Sequence, residues 1–170
     1  MKPEVNKWLE QVERVKQEGV DLSRDEDLSI AIMNLVSLEE HFYFSAMKTN
    51  NKKYVAMLDA VRNVRKNMLA KIVKNPQGEE WCVSKHLLAA SMRLIEVGTK
   101  ELAKKNHAQA DEFFSSAFDL YSLFFAINTG VVKSQGLSKE EKEAIEPVEK
   151  TPLFKKVTDF VKHAVDCCRE

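Results

Sequence analysis

Residues 23–48 read SRDEDLSIAIMNLVSLEEHFYFSAMK, and the spacing of their apolar side chains decides the fold. Leu28, Ala31, Ile32, Leu35, Leu38, Phe42 and Ala46 recur at three- and four-residue intervals. Those intervals trace one face of a helix, whereas a half-buried strand would alternate every second residue. Ile30, Met33, Phe44 and Met47 carry apolar character around the rest of the turn. A helix apolar on nearly all sides is expected to sit centrally in its fold. Ser23 and Glu26 have the spacing of a capping box, and Asp25 and Asp27 suit the positive end of a helix. The helix is therefore predicted to start at Ser23 and to run to about Lys48.

Downstream, Asn50 and Asn51 break the chain, and a second helix is predicted over 52–74, with Tyr54, Leu58, Val61, Met68 and Ile72 facing inward. Asn75-Pro76-Gln77-Gly78 reads as a turn, because proline cannot continue a helix and Asn and Gly suit tight geometry. A third helix is predicted over 79–105. One of its apolar faces holds Trp81, Leu88, Met92, Ile95 and Leu102, and the other holds Val83, Leu87, Ala90, Leu94 and Val97. Gly98 on that helix allows a close helix contact. Asn106 is a suitable cap for a fourth helix over 108–128, which carries Phe113, Phe114, Phe118, Phe124 and Phe125 and ends at Thr129-Gly130. Four long helices joined by short connections are expected to pack as antiparallel neighbours.

Upstream, Val5, Trp8, Leu9, Val12 and Val15 form one stripe of a helix predicted over 3–18, stopped by Gly19. Beyond 131–136, a linker, Ser138 and Glu141 open a short charged helix, and Leu153, Val157, Phe160, Val161, Ala164 and Cys168 give a last amphipathic one. The fold class is thus all-α: a four-helix antiparallel bundle core with additional N- and C-terminal amphipathic helices. Residues 1–136 form the bundle domain, with the N-terminal helix at 3–18 and the core helices within 23–128. Residues 137–170 form a C-terminal helical extension packed on it. The terminal stripes are too apolar to be left in water, so a homodimer is expected.

The chain has 170 residues, 44% of them apolar, which suits one domain with a real core. No stretch is long and apolar enough for a membrane span, and Met1 to Gln11 is too charged for a secretory signal. Three cysteines cannot make a disulfide scaffold, so a cytoplasmic location is expected. The net charge is zero, but it is unevenly spread. Residues 1–47 hold five Lys/Arg against ten Asp/Glu, a net of −5, and 48–74 hold eight basic residues against Asp59, a net of +7. Within the basic helix, Arg62, Lys66 and Lys52 are the candidates for an anion site. Tyr54 is the one aromatic there and the overall charge is neutral, which argues against nucleic acid.

The chemical signal lies in the third helix. Glu79, Cys82 and His86 fall within about 60° of one another around its axis. A thiolate and an imidazole four residues apart can reach one zinc or iron ion, with the carboxylate as a third ligand. Glu39, in the middle of the main apolar stripe of its own helix, is the candidate fourth ligand. A carboxylate there is costly to bury unless it is paired, protonated or metal-bound. Arg93, Glu96 and His41 are the residues placed to orient the ligands or to meet a substrate. Cys82 beside Lys85 and His86 also admits a nucleophilic role, which Glu79 opposes. A different reading has Glu39 paired with Arg62 or Arg65 and only fixing helix register, which makes the protein an interaction module. Motif counts exclude some enzymes. The Glu-x-x-His pairs of di-iron bundles are absent, as are a phosphate-binding glycine loop, a Gly-x-Ser-x-Gly elbow and a His-Glu-x-x-His zinc motif.

Overall fold

A computed structural model of the chain describes residues 22–130. Four helices account for most of them: α1 (Ser23–Thr49), α2 (Lys52–Ile72), α3 (Glu80–Ala103) and α4 (His107–Asn128). Strands are absent among the described residues. No described helix is long and apolar enough to cross a membrane. The helices predicted over 3–18 and beyond 137, with their terminal stripes, lie outside the described residues.

Each break has a local cause. Asn50 ends α1 in the left-handed conformation (φ 51°), which Asn adopts more readily than most residues. The Asn51 side chain then accepts from Lys53 N at 3.0 Å and caps α2. Asn75 (φ 52°) and Gly78 (φ 54°) turn the chain between α2 and α3, and the Glu80 carboxylate accepts from Gln77 N at 2.7 Å. Lys105 (φ 63°) reverses the chain after α3, with Asn106 N donating to Glu101 O at 3.0 Å. Lys104 and Asn106 both donate to the Glu101 side chain, and these bonds hold its carboxyl below the usual carboxylate range.

Two capping expectations need correction. Leu22, not Ser23, occupies the cap position of α1; no side chain caps it, and Glu26 N donates to the Leu22 carbonyl at 2.7 Å. Asn106 does occupy the cap of α4, but its amide reaches back to Glu101 and leaves the helix N–H groups alone.

α1 packs against α2, and α3 against α4; α1 also contacts α3. Side-chain pairs fix the direction within each hairpin. Across α1–α2, Glu39 meets Arg65 and Phe42 stacks on Tyr54, so the chain ascends one helix as it descends the other. Asn128 donates to Ser84 Oγ at 3.0 Å at one end of α3–α4, while Gly98 faces Phe114 near the other. In both α3–α4 pairs the residue numbers add to the same total, as an antiparallel pairing requires.

The core sits at the end of the molecule where α1 begins and α4 finishes. Leu22, Ile32, Leu69, Ile72, Val73, Leu88, Phe124, Phe125 and Ala126 form it. Toward the other end the buried positions among the described residues are small: Ala46, Gly98 and Ala110. There the same helices bring apolar side chains to the surface: Tyr43, Phe44, Met47, Ile95 and Leu102 are exposed. α1 touches all three other helices, as its apolar content suggested, but it is not buried all round.

The close α3–α4 approach depends on Gly98. A Cβ there would lie 2.6 Å from the Phe114 ring. Gly98→Ala gains up to about 1 kcal/mol of helix propensity but overpacks the contact by about 1–3 kcal/mol. A net destabilisation of about 1 kcal/mol is expected as a lower urea midpoint; a raised midpoint would show that the ring yields freely.

Candidate functional site

The ion-paired side chains divide between the two seams around α1. Neighbours on a helix point about 100° apart, so Glu39 and Glu40 face different partners. Glu39 turns to α2. Arg65 Nε donates to its Oε1 at 2.8 Å and the second guanidinium nitrogen to its Oε2 at 3.2 Å, a two-pronged fork. The Arg65 side chain is 5% exposed and that of Glu39 14%. Arg62 Nε approaches the same carboxylate at 3.8 Å from a largely exposed position. Glu40 turns to α3, where Arg93 pairs with it and also with Glu96 on its own helix. The two carboxylates thus join α1 to both of its neighbours through arginines.

Glu79, Cys82 and His86 stand elsewhere. Glu79 occupies the cap position of α3, and all three are exposed. Glu39 is held by the arginines of α2, so the structure does not bring it to Cys82 and His86. Among the described residues, no group of three or more His, Cys, Asp or Glu side chains is arranged to hold a metal ion. His41 is exposed on α1, its ring edge-on to Phe42 with centroids 6.2 Å apart. Lys52, Arg62 and Lys66 are exposed, and Lys52 and Lys66 are spread along about 21 Å of α2.

Comparison with family models, with curated proteins and with solved structures finds no match. The functional reading therefore rests on the geometry.

One polar contact was not legible in the sequence. The Ser29 hydroxyl donates to the Glu26 carbonyl at 2.6 Å, which leaves its oxygen to accept from Tyr121 Oη, also at 2.6 Å. This bond ties α1 to α4 across a buried position: Ser29 is fully buried. The signal in the sequence is faint, a serine in an apolar stripe and a tyrosine in a phenylalanine-rich helix. Burial pushes the Tyr121 hydroxyl up to about 12, with nearby Glu26 and Asp27 acting in the same direction. The folded state thus holds this proton more tightly than the unfolded chain, whose tyrosines titrate near 10. Its contribution is complete below that value and is lost as the pH rises from about 10 through 12. Ultraviolet titration of the phenolate is expected to show one late tyrosine, and Tyr121→Phe should remove it. If Tyr121→Phe leaves the high-pH end of the titration unchanged, the phenol is in water.

A groove of about 330 Å³ opens beside this bond between α1, α3 and α4. Ile30, Met33, Ile95, Phe114 and Phe118 line it, with Tyr121 and Glu26 among its walls.

Proposed function

We propose that the protein is a helical interaction module of the cytoplasm, that its contact surface is the apolar end of α1, and that its partner is a second copy of the chain. One observation carries the reading. Tyr43, Phe44 and Met47 are 50%, 56% and 61% exposed and are neighbours on one helix. Val55 and Met57, in the opening turns of α2 at the same end, add to the exposed apolar surface. Scattered apolar residues are ordinary on a surface, but a clustered aromatic patch marks a contact. A two-fold dimer covers the same patch on both copies at once.

The polar seams support this reading. Glu39 and Glu40 are engaged by arginines, which is the arrangement of register-fixing ion pairs. Two measurements test the proposal. Phe44→Glu is expected to leave the helical content unchanged and to delay elution in size-exclusion chromatography at micromolar concentration. Metal analysis of the purified chain is the second. Stoichiometric zinc or iron that is lost in both Cys82→Ala and His86→Ala would replace the interaction module with a metal protein.

A further inference from the structure

We infer that α1 pairs antiparallel with α1 of a second copy, along a stripe whose two halves complement each other. This pairing presupposes the dimer proposed above and adds its direction and register. Asp27, Ile30, Asn34, His41, Phe44 and Lys48, with Ser37 in the middle, step along α1 by threes and fours. Such steps hold side chains within about 100° of one another around the axis, here over about 32 Å of helix. The stripe faces outward along its whole length. Ser37 is half-buried and the other six are exposed, Ile30 at 46% and Phe44 at 56%. The rest of the helix surface is engaged: Glu39 turns to α2, Glu40 to α3 and Ser29 to α4.

A two-fold axis crossing α1 near Ser37 sets each half of the stripe against the other half of the partner's. Ile30 then meets the partner's Phe44, at the rim of the groove that Ile30 lines. Asn34 meets the partner's His41. The Asn34 amide already donates to Ile30 O at 2.9 Å, which leaves its Oδ1 to accept from the imidazole N–H. Asp27 meets the partner's Lys48. In each of these pairs the residue numbers add to the same total within one, as a two-fold antiparallel register requires. Charge selects the direction. Asp25 and Glu26 stand in the first turn of α1 and Lys48 in its last. Antiparallel copies bring these unlike ends together. Parallel copies would set Asp27 on the partner's Asp27 and Lys48 on the partner's Lys48, which is repulsive at both ends.

Two charge reversals, studied apart and then mixed, test the pairing in the full chain. Asp27→Lys alone opposes two lysines at both ends of the pair, and Lys48→Asp alone opposes two acids. Each variant is expected to dimerise about tenfold more weakly than the wild-type chain. An equimolar mixture of the two should return to the wild-type affinity, because unlike charges then meet between the two kinds of chain. Sedimentation equilibrium reads all three samples, and circular dichroism checks that both variants keep their helices. Crosslinking with a short bismaleimide reads the register in a Cys82→Ser, Cys167→Ser, Cys168→Ser background. Ser37→Cys, at the axis, is expected to give a covalent dimer. Ile30→Cys is not, because the two copies of residue 30 stand more than about 20 Å apart. A dimer that mixing does not strengthen, or one that links through Ile30→Cys and not through Ser37→Cys, would overturn the antiparallel register and leave self-association standing. A chain that stays monomeric at every concentration would overturn both.

Discussion

Arg65→Ala is expected to lower the unfolding free energy by about 3–5 kcal/mol, because it leaves the Glu39 carboxylate among apolar neighbours without its fork. The arginine side chain is 5% exposed and both of its bonds to Glu39 are well formed, at 2.8 and 3.2 Å. Arg62, 3.8 Å away and mostly in water, offsets only part of the loss. The double replacement Arg65→Met with Glu39→Leu should behave differently. Exchanging both charges for apolar groups of similar volume is often neutral or stabilising, so most of the loss is expected to return. Urea unfolding followed by circular dichroism reads both variants. If Arg65→Ala loses under about 1 kcal/mol, the pair behaves like an exposed surface bridge and does not hold α1 to α2.

Phe124→Ala carries the second large effect. The ring is fully buried at the centre of the core and stands edge-on to Phe125, with centroids 5.1 Å apart. Removing it deletes transfer energy and leaves a cavity that rigid helices close only in part, a loss of about 3–5 kcal/mol. That is a large share of the roughly 5–15 kcal/mol that stabilises a domain of ordinary size. Leu102→Ala is the contrast: its side chain is 45% exposed, and a change within about 0.5 kcal/mol is expected. Equal unfolding midpoints for the two variants would mean that the core does not lie at the Leu22 and Phe124 end.

The four helices were legible because their apolar periods are long and their breaks have unambiguous chemistry. The two asparagines at 50 and 51 and the turn at 75–78 mark boundaries that the structure places within a few residues. Gly98 was legible for a related reason, since a glycine inside a strong helical pattern implies a close neighbour. The cap of α1 was not. Ser23 and Glu26 have the right spacing, but a spacing match cannot say whether the serine stands outside the helix or in its first turn. The exposure of Phe44 and Met47 was also hidden, because apolar content on every side of a helix does not reveal how many neighbours cover it. The site was legible in half. An arginine partner for Glu39 follows from a carboxylate on an apolar stripe beside a basic helix. That Glu40 would reach Arg93 depends on how α1 is rotated against α3, which no single-helix pattern encodes.

Sedimentation equilibrium of the intact chain, with Phe44→Glu beside it, tests the central claim most directly. The account predicts a reversible dimer of the wild-type chain at micromolar concentration and a monomer for the variant, with the same circular dichroism for both. A wild-type chain that sediments as a monomer, or a variant that still dimerises, would contradict it.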